Sequence, residues 1–356
     1  MKGNPSEHIP GLDGIRAISF LLVYFSHMGL GKSYTGGQGV AFFFFLSGYL
    51  ITTLMRRERY ATGSISISRF YIRRIFRICP PLYVTLLLAI LLHLLGWSGQ
   101  LTTGAILSVA FYYSNFYMLH NDGMGGLAST WSLGVEEHYY LTFPFIYLSM
   151  LRLPQRSQVL ILSSICAVLL LWRSYLAYWC HASVSRIYLL TDTRADLIFL
   201  GSLLALSANP LFDRLPGWFL RHPRWIAGAG MICALGVDHI PVVKSALSYT
   251  ILGLSLFPVY WYVISYPQDT AVRWLESGVL RTIGRWSYSL YLLHQLVIDA
   301  LQTLTHLRLF ECAILAIAPC IALARVMEKF IEKPAHRLRN QLIADRLVPA
   351  GRLPRP

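Results

Sequence analysis

The sequence contains little charge and little cysteine. Charged residues make up 13% of the 356 residues, against roughly 25% in soluble domains, and no long polar stretch separates the hydrophobic segments. The six cysteines include no C-x-x-C pair and no Cys/His cluster, so they indicate neither a disulfide framework nor a metal site. With 55% hydrophobic residues and a mean hydropathy of +0.50, the composition is typical of a polytopic membrane protein without a separate soluble domain.

Positive charge is in excess, with a net charge of +14, but it is spread over the short segments between hydrophobic runs. This distribution follows the positive-inside rule for membrane proteins. Nucleic-acid binding, which we do not expect, requires a basic face or arm. Ten runs are long enough or nearly long enough to span a bilayer. They lie near residues 15–30, 39–55, 82–97, 136–151, 158–178, 192–208, 225–240, 245–266, 283–303 and 309–331.

We therefore predict an all-α fold, a polytopic bundle of about ten transmembrane helices at 9–337, followed by a basic cytoplasmic tail at 338–356. Placing both termini in the cytoplasm puts most loop arginines on the cytoplasmic side. An eleventh candidate, Ile106–Leu119, is short, and counting it as a span would scatter this charge bias. We expect it to lie at the interface or to re-enter the membrane. Pro334 is predicted to end the last helix.

Arg16 and His27 are the most informative polar residues of the first hydrophobic run. They are eleven residues apart, close to three helical turns, so both project from one face, about 16 Å apart along the axis. A cation and a titratable imidazole on one stripe of a membrane helix are costly to expose to lipid, and we expect them to line a polar cavity. The alternative is that His27 is a buried histidine bonded to a carbonyl. Gly48 is predicted to allow a close approach to the helix of His27.

Several motifs follow Arg16 and His27 in a fixed order. They are Phe42–Gly48 (FFFFLSG), Arg69–Pro80 (RFYIRRIFRICP), Trp131–Tyr140 (WSLGVEEHYY), Thr193–Asp196 (TRAD) and Gly284–His294 (GRWSYSLYLLH). In this order and spacing the chain resembles the acyltransferase-3 family of membrane O-acyltransferases, from about residue 9 to about residue 337. The family's pattern of Arg, ten residues and His maps onto Arg16 and His27. Its Phe-Phe-x-x-Ser-Gly element maps onto 43–48, and its Glu-Glu-Gln-Phe-Tyr element becomes 136–140, with His138 in place of glutamine.

The resemblance implies transfer of an acyl group, most often acetyl, from a coenzyme A thioester to an acceptor hydroxyl. The acceptor is typically a sugar of a surface polysaccharide, a lipid-linked saccharide or another exported glycoconjugate. It implies an enzyme of the bacterial inner membrane that uses acetyl-CoA as a substrate and holds no permanent cofactor. We expect no metal, because no ligand set is visible in the sequence. Some members of the family carry a fused hydrolase-like domain. We expect this chain to act alone or with a separate protein on the acceptor side.

Acyl transfer to a hydroxyl needs a base that works near neutral pH, and histidine is the usual choice. We predict that His27 is this base. The predicted topology puts Glu136 and Glu137, at the start of the fourth span, at the same depth as His27. Glu137 could there orient the imidazole and stabilise its protonated form.

The phosphates of coenzyme A need cations on the cytoplasmic side. Arg73, Arg74 and Arg77 lie in the most basic predicted cytoplasmic loop, and arginine suits bidentate phosphate contacts. Arg16 could hold the pyrophosphate or the thioester carbonyl. The three loop arginines could instead set the topology and contact anionic headgroups of membrane lipids.

The candidates for acceptor binding are Glu136, Arg194, Asp196 and His294. Arg194 and Asp196, with Asp192, could instead form ion pairs among themselves at the start of the sixth span. His294 could equally be a polar packing contact in the ninth span.

Two other functions remain open from the sequence alone. A transporter or flippase for a glycan precursor also needs polar residues inside helices, but it is expected to show internal repeats, which we do not find. A non-catalytic partner in glycan assembly would tolerate the loss of His27. Movement of label from acetyl-CoA into an acceptor distinguishes the enzyme from both.

Overall fold

The computed structural model describes residues 9–29, 34–213, 221–236 and 246–345, and it is helical throughout these ranges apart from turns and one isolated bridge. This confirms the all-α prediction. The α-helices in chain order are α1 Leu12–His27, α2 Tyr34–Thr62, α3 Ile67–Leu94, α4 Thr103–Ala110, α5 Ser114–Tyr117, α6 Trp131–Met150, α7 Gln155–Tyr178, α8 Val184–Leu189, α9 Thr191–Ser207, α10 Pro223–Gly236, α11 Ser248–Ser265, α12 Thr270–Arg273, α13 Gly278–Thr305, α14 Leu309–Met327 and α15 Lys333–Asp345.

Five helical segments among the described residues are long and apolar enough to cross a membrane. They are Gly36–Thr62, Ile67–Leu94, Gln155–Tyr178, Ser248–Ser265 and Leu309–Ala344. Helices α1, α6, α9, α10 and α13 coincide with the other five predicted runs but are shorter or less apolar. The count of about ten spans and the cytoplasmic placement of the termini therefore stay predictions.

Two boundaries differ from the sequence prediction. The candidate Ile106–Leu119 is broken into α4 and α5 by a turn in which Tyr112 has a φ of 59°, and neither piece is long enough to span a bilayer. Pro334 does not end the helical path, so that prediction is wrong. A π-helical turn, Glu328–Glu332, leads into α15, and Pro334 lies in the first turn of α15. The π turn interrupts the regular hydrogen-bond ladder just before Pro334, so the missing N–H is tolerated there.

Helices α2 and α9 cross at two glycines. A Cβ on Gly48 would collide with the carbonyl oxygen of Ile198, and a Cβ on Gly201 would collide with that of Phe45. The prediction that Gly48 faces the helix of His27 is therefore wrong. Gly39 of α2 meets α1 instead, against Ser19, as does Gly36, against Ser26. Nine residues separate Gly39 from Gly48, which is half a turn beyond two full turns, so the two glycines lie on opposite faces of α2.

Candidate active site

Arg16 and His27 both contact α13. The Nε of Arg16 donates to Ser287 Oγ at 3.1 Å, and His27 Nδ1 lies 2.9 Å from His294 Nε2. Gly284 allows this packing, because a Cβ there would collide with the backbone oxygen of Asp13 in α1. The two polar residues therefore share the face of α1 that their spacing predicts, and the partner of that face is α13.

A cavity surrounds Arg16 where α1, α2, α3, α6 and α13 meet. The space within it is about 810 Å³ when its open mouth is included. Its charged and hydroxyl-bearing lining residues are Arg16, Ser47, Arg74, Arg77, Ser132, Glu136, Glu137, Tyr140, Ser287, Tyr288 and Tyr291. Three arginines and two carboxylates leave the cavity with a small excess of positive charge, which favours an anion.

Arg74 and Arg77 line this cavity, whereas Arg73 does not. The guanidinium of Arg74 lies 5.3 Å from the ring centre of Tyr140, and its buried Nε has no hydrogen-bond acceptor among the described residues. Arg73 instead forms a 2.7 Å ion pair with Glu58, which also pairs with Arg69 at 3.2 Å. The structure thus brings two of the three predicted donor-binding arginines to Arg16 and leaves the third paired outside the cavity.

The two carboxylates of α6 lie with the arginines and not with His27. Glu136 accepts hydrogen bonds from Ser47 Oγ at 3.1 Å and from Tyr140 Oη at 3.0 Å, and Glu137 lines the same cavity. Glu137 therefore lies with the arginines, and the predicted pairing of Glu137 with His27 is wrong. The predicted span began at 136, but α6 begins at Trp131, which carries both carboxylates about 7.5 Å further along the axis.

His294 takes the place beside His27 that the prediction gave to a carboxylate. Its Nδ1 lies 2.8 Å from the carbonyl oxygen of Tyr291, and the rings of Phe20 and Tyr24 pack against it. Because a carbonyl only accepts, Nδ1 must carry a proton, and in the neutral imidazole Nε2 is then the acceptor. His27 therefore donates from Nδ1, and its own Nε2 keeps a free lone pair.

The two acidic residues at the start of α9 pair with arginines of other segments and not with Arg194. Asp196 meets Arg173 of α7 through contacts of 2.9 and 3.0 Å and accepts from Thr250 Oγ1 at 2.6 Å. Asp192 pairs with Arg186 at 2.9 and 2.5 Å. Ion pairs among Asp192, Arg194 and Asp196, one of the two predicted alternatives, are therefore not formed.

Arg194 is left without either acidic neighbour. Its side chain is fully buried, and none of its three guanidinium nitrogens has a hydrogen-bond partner within the described ranges. The guanidinium carbon lies 3.8 Å from the ring centre of Tyr249, 5.2 Å from Tyr188, 5.6 Å from Trp131 and 5.8 Å from Phe44. We call these four rings the aromatic cluster.

Three residues that organise the site are not among the candidates predicted from the sequence. Tyr140 and Ser47 hold Glu136, and the hydroxyl of Tyr291 bonds Ser132 Oγ at 2.7 Å while its ring packs against His294. All three lie inside motifs noted from the sequence, so their position in those motifs was the available signal. Within the described residues, no three His, Cys, Asp or Glu side chains are grouped to hold a metal ion.

Comparison with known proteins shows which family and which relatives the chain resembles. The model of the acyltransferase-3 family, described as an acyltransferase domain, matches residues 9–325. A Staphylococcus aureus protein named "Putative O-acetyltransferase" is 31% identical over 312 residues, which cover 82% of this chain and 51% of that protein. The peptidoglycan O-acetyltransferase OatA of Listeria monocytogenes is 29% identical over 359 aligned residues, which cover 93% of this chain and 56% of that protein.

The chain thus spans about half the length of the curated relatives that it matches. No solved structure gives a significant match. The family model covers most of the chain, including the arginine cavity and the histidine pair. The chain belongs to the acyltransferase-3 family.

Proposed function

We propose that this protein is an O-acetyltransferase of the bacterial inner membrane that moves an acetyl group from acetyl-CoA to a hydroxyl of a surface glycan, such as peptidoglycan. The family membership and the names of the relatives support the reaction type and the acceptor class. The observation that carries the proposal is the shared face of α1, where Arg16 opens onto a cationic cavity and His27 meets His294.

The donor binds in the cavity through its phosphates. Arg74 and Arg77 supply cations from α3, and Arg16 supplies a third from α1. Guanidinium groups suit phosphate because they present several donors in a planar fork. The pantetheine arm then extends along the cavity wall of Phe43 and Tyr291, whose ring centres lie 6.0 Å apart, and brings the thioester towards His27. Glu136 and Glu137 balance the arginine charge when the donor is absent.

The histidine pair supplies the base. The free Nε2 of His27 takes the proton of the acceptor hydroxyl, and the hydroxyl oxygen attacks the thioester carbonyl. The carbon–sulfur bond breaks, and the departing thiolate takes the proton from His27, which leaves the acetylated sugar and free coenzyme A. The imidazole of His27 is half-buried, so an acceptor can reach it, whereas His294 is fully buried and acts only through His27.

Labelled acetyl-CoA tests this proposal. Membranes containing the protein should move radiolabelled acetyl groups into an isolated cell-wall glycan acceptor, and His27→Ala should abolish the transfer at an equal protein level. Arg285→Gln, which alters an exposed arginine outside the cavity, is the control and should transfer normally. Normal transfer by His27→Ala removes His27 as the base. A protein that moves no label with any glycan offered is not this enzyme, and a transporter would give that result.

A further inference from the structure

Arg194 and Arg173 are equally buried but differently partnered. Both side chains have no exposed surface. Arg173 meets Asp196, a threonine and two backbone carbonyls, whereas Arg194 meets only the aromatic cluster within the described ranges. A buried charge without a partner is costly, and contacts with ring faces offset only part of that cost. The arrangement is that of a binding group whose partner is a ligand.

The surroundings of Arg194 favour a negatively charged ligand. Arg194 is the fourth residue of α9, a helix of 17 residues, so it lies in the first turn. The unpaired N–H groups and the dipole at a helix N-terminus favour anions. The guanidinium adds a full positive charge and a planar fork that fits a carboxylate or a phosphate.

The position of the aromatic cluster assigns that ligand to the acceptor and not to the donor. Gly36 of α2 lies against Ser26, next to His27, with 3.1 Å between its ideal Cβ and the Cβ of Ser26. The adjacent Gly37 lies against Tyr188 of the cluster, with 3.4 Å to the ring. The cluster and the residue next to His27 therefore contact adjacent glycines of α2. Phe44 of the cluster also lines the arginine cavity, but neither Arg194 nor His27 lines it.

We propose that Arg194 binds an anionic group, a carboxylate or a phosphate, on the acceptor glycan whose hydroxyl His27 activates. The proposal rests on the proposed function and deepens it, because it makes the acceptor an acidic glycan. Tyr188 and Tyr249 are the two half-buried rings of the cluster, and one of them must move aside for a ligand to reach the guanidinium, which has no exposed surface. Trp131 and Phe44 are buried and form the floor of this binding site.

Ligand-dependent melting of the purified full chain in detergent tests this proposal without any acyl transfer. The probes are sodium glucuronate, glucose 6-phosphate and glucose, each at matched ionic strength. Glucuronate or glucose 6-phosphate should raise the melting temperature by a few degrees, and glucose should not. The more effective of the two anions identifies the carboxylate or the phosphate. Arg194→Gln should lose the shift, and Arg194→Lys should keep part of it.

Two controls make the outcome decisive. Arg308→Gln changes an exposed arginine at the start of α14 and should melt and respond like the wild type. Without any probe, Arg194→Gln should melt at or above the wild-type temperature, because it removes an unpaired buried charge. An unchanged shift in Arg194→Gln overturns the proposal, as does the absence of a shift with both anions in the wild type. Because melting needs no acetyl-CoA, failure here is distinct from failure of the transferase assay.

Discussion

The Nδ1 of His27 lies 2.9 Å from the Nε2 of His294, and the opposite nitrogen of His294 lies 2.8 Å from a backbone carbonyl of the same helix. A carbonyl oxygen, a neutral imidazole and a second imidazole thus form one directed chain of hydrogen bonds. Many histidine bases are oriented by a carboxylate. Here an uncharged chain fixes the tautomer, so the base stays oriented without a second charge buried beside it.

His294 is therefore a positioning residue, and its replacement should affect turnover more than donor binding. His294→Leu removes the acceptor for His27 Nδ1 and should lower kcat by on the order of 100-fold, the lower end of what general-base catalysis contributes, with little change in the KM for acetyl-CoA. His294→Gln offers an amide oxygen and should recover part of the loss. Steady-state kinetics of both variants across pH provide the measurement.

The pH profile separates positioning from packing. A neutral His27 is required as the base, so the rate should fall as the pH is lowered and His27 becomes protonated. His294→Gln should keep this acid limb at a reduced maximum. Equal losses of protein and activity in the leucine and glutamine variants, without any rescue by glutamine, would indicate that His294 only packs the helices.

Arg77 and Arg73 lie in the same basic stretch but should differ in their effect on the donor. Arg77 lines the cavity, whereas Arg73 is held by Glu58. Arg77→Gln should raise the KM for acetyl-CoA by roughly 10-fold or more, since a charge-assisted hydrogen bond contributes about 1.5–3 kcal/mol. Initial rates over a range of acetyl-CoA concentrations give the comparison, with Arg285→Gln as the unaffected control. A KM that changes no more in Arg77→Gln than in Arg285→Gln would favour a role in topology.

Helical periodicity alone predicts part of the site. The spacing of Arg16 and His27 fixes their common face whatever packs against it, and the structure confirms this face. The identity of the facing helix could not be predicted, because α13 lies more than 260 residues further along the chain. A single sequence carries no signal for which helices become neighbours.

The misplacement of Glu137 has a simpler physical cause. The predicted run began at Glu136, but α6 begins five residues earlier, at Trp131. Polar and aromatic residues at the start of α6 make its first residue hard to predict from hydropathy. An error of about a turn and a half moves a side chain from one site to another. The same limit applies to Arg173, an isolated charge in an apolar run whose partner, Asp196, is on a different helix.

The crossing of α2 and α9 should depend on the absence of a side chain at Gly48. Gly48→Ala places a methyl group against the carbonyl oxygen of Ile198, and the backbones must separate to accept it. Overpacking of this kind costs about 1–3 kcal/mol, so the melting temperature in detergent should fall. Gly228→Ala is the matched control, because no atom of the described residues outside its own helix backbone lies within 4 Å of its added Cβ, and it should be neutral or slightly stabilising. Equal melting of the two variants would contradict the close crossing.

Removing one partner of the Arg173–Asp196 ion pair should destabilise the fold strongly, whereas replacing both partners together should cost much less. Arg173→Leu leaves a carboxylate with no exposed surface without its cation, and breaking such a pair typically costs about 3–5 kcal/mol. The variant should melt well below the wild type or accumulate poorly. Replacing both partners, as in Arg173→Leu with Asp196→Leu, removes the stranded charge and should recover much of the loss, since apolar replacements of buried pairs are often neutral. Melting curves of the two single variants and the double variant form the cycle. Purely additive losses in the double variant would mean that the two side chains are stabilised independently, by their separate contacts with the Thr193 carbonyl and Thr250, and not by each other.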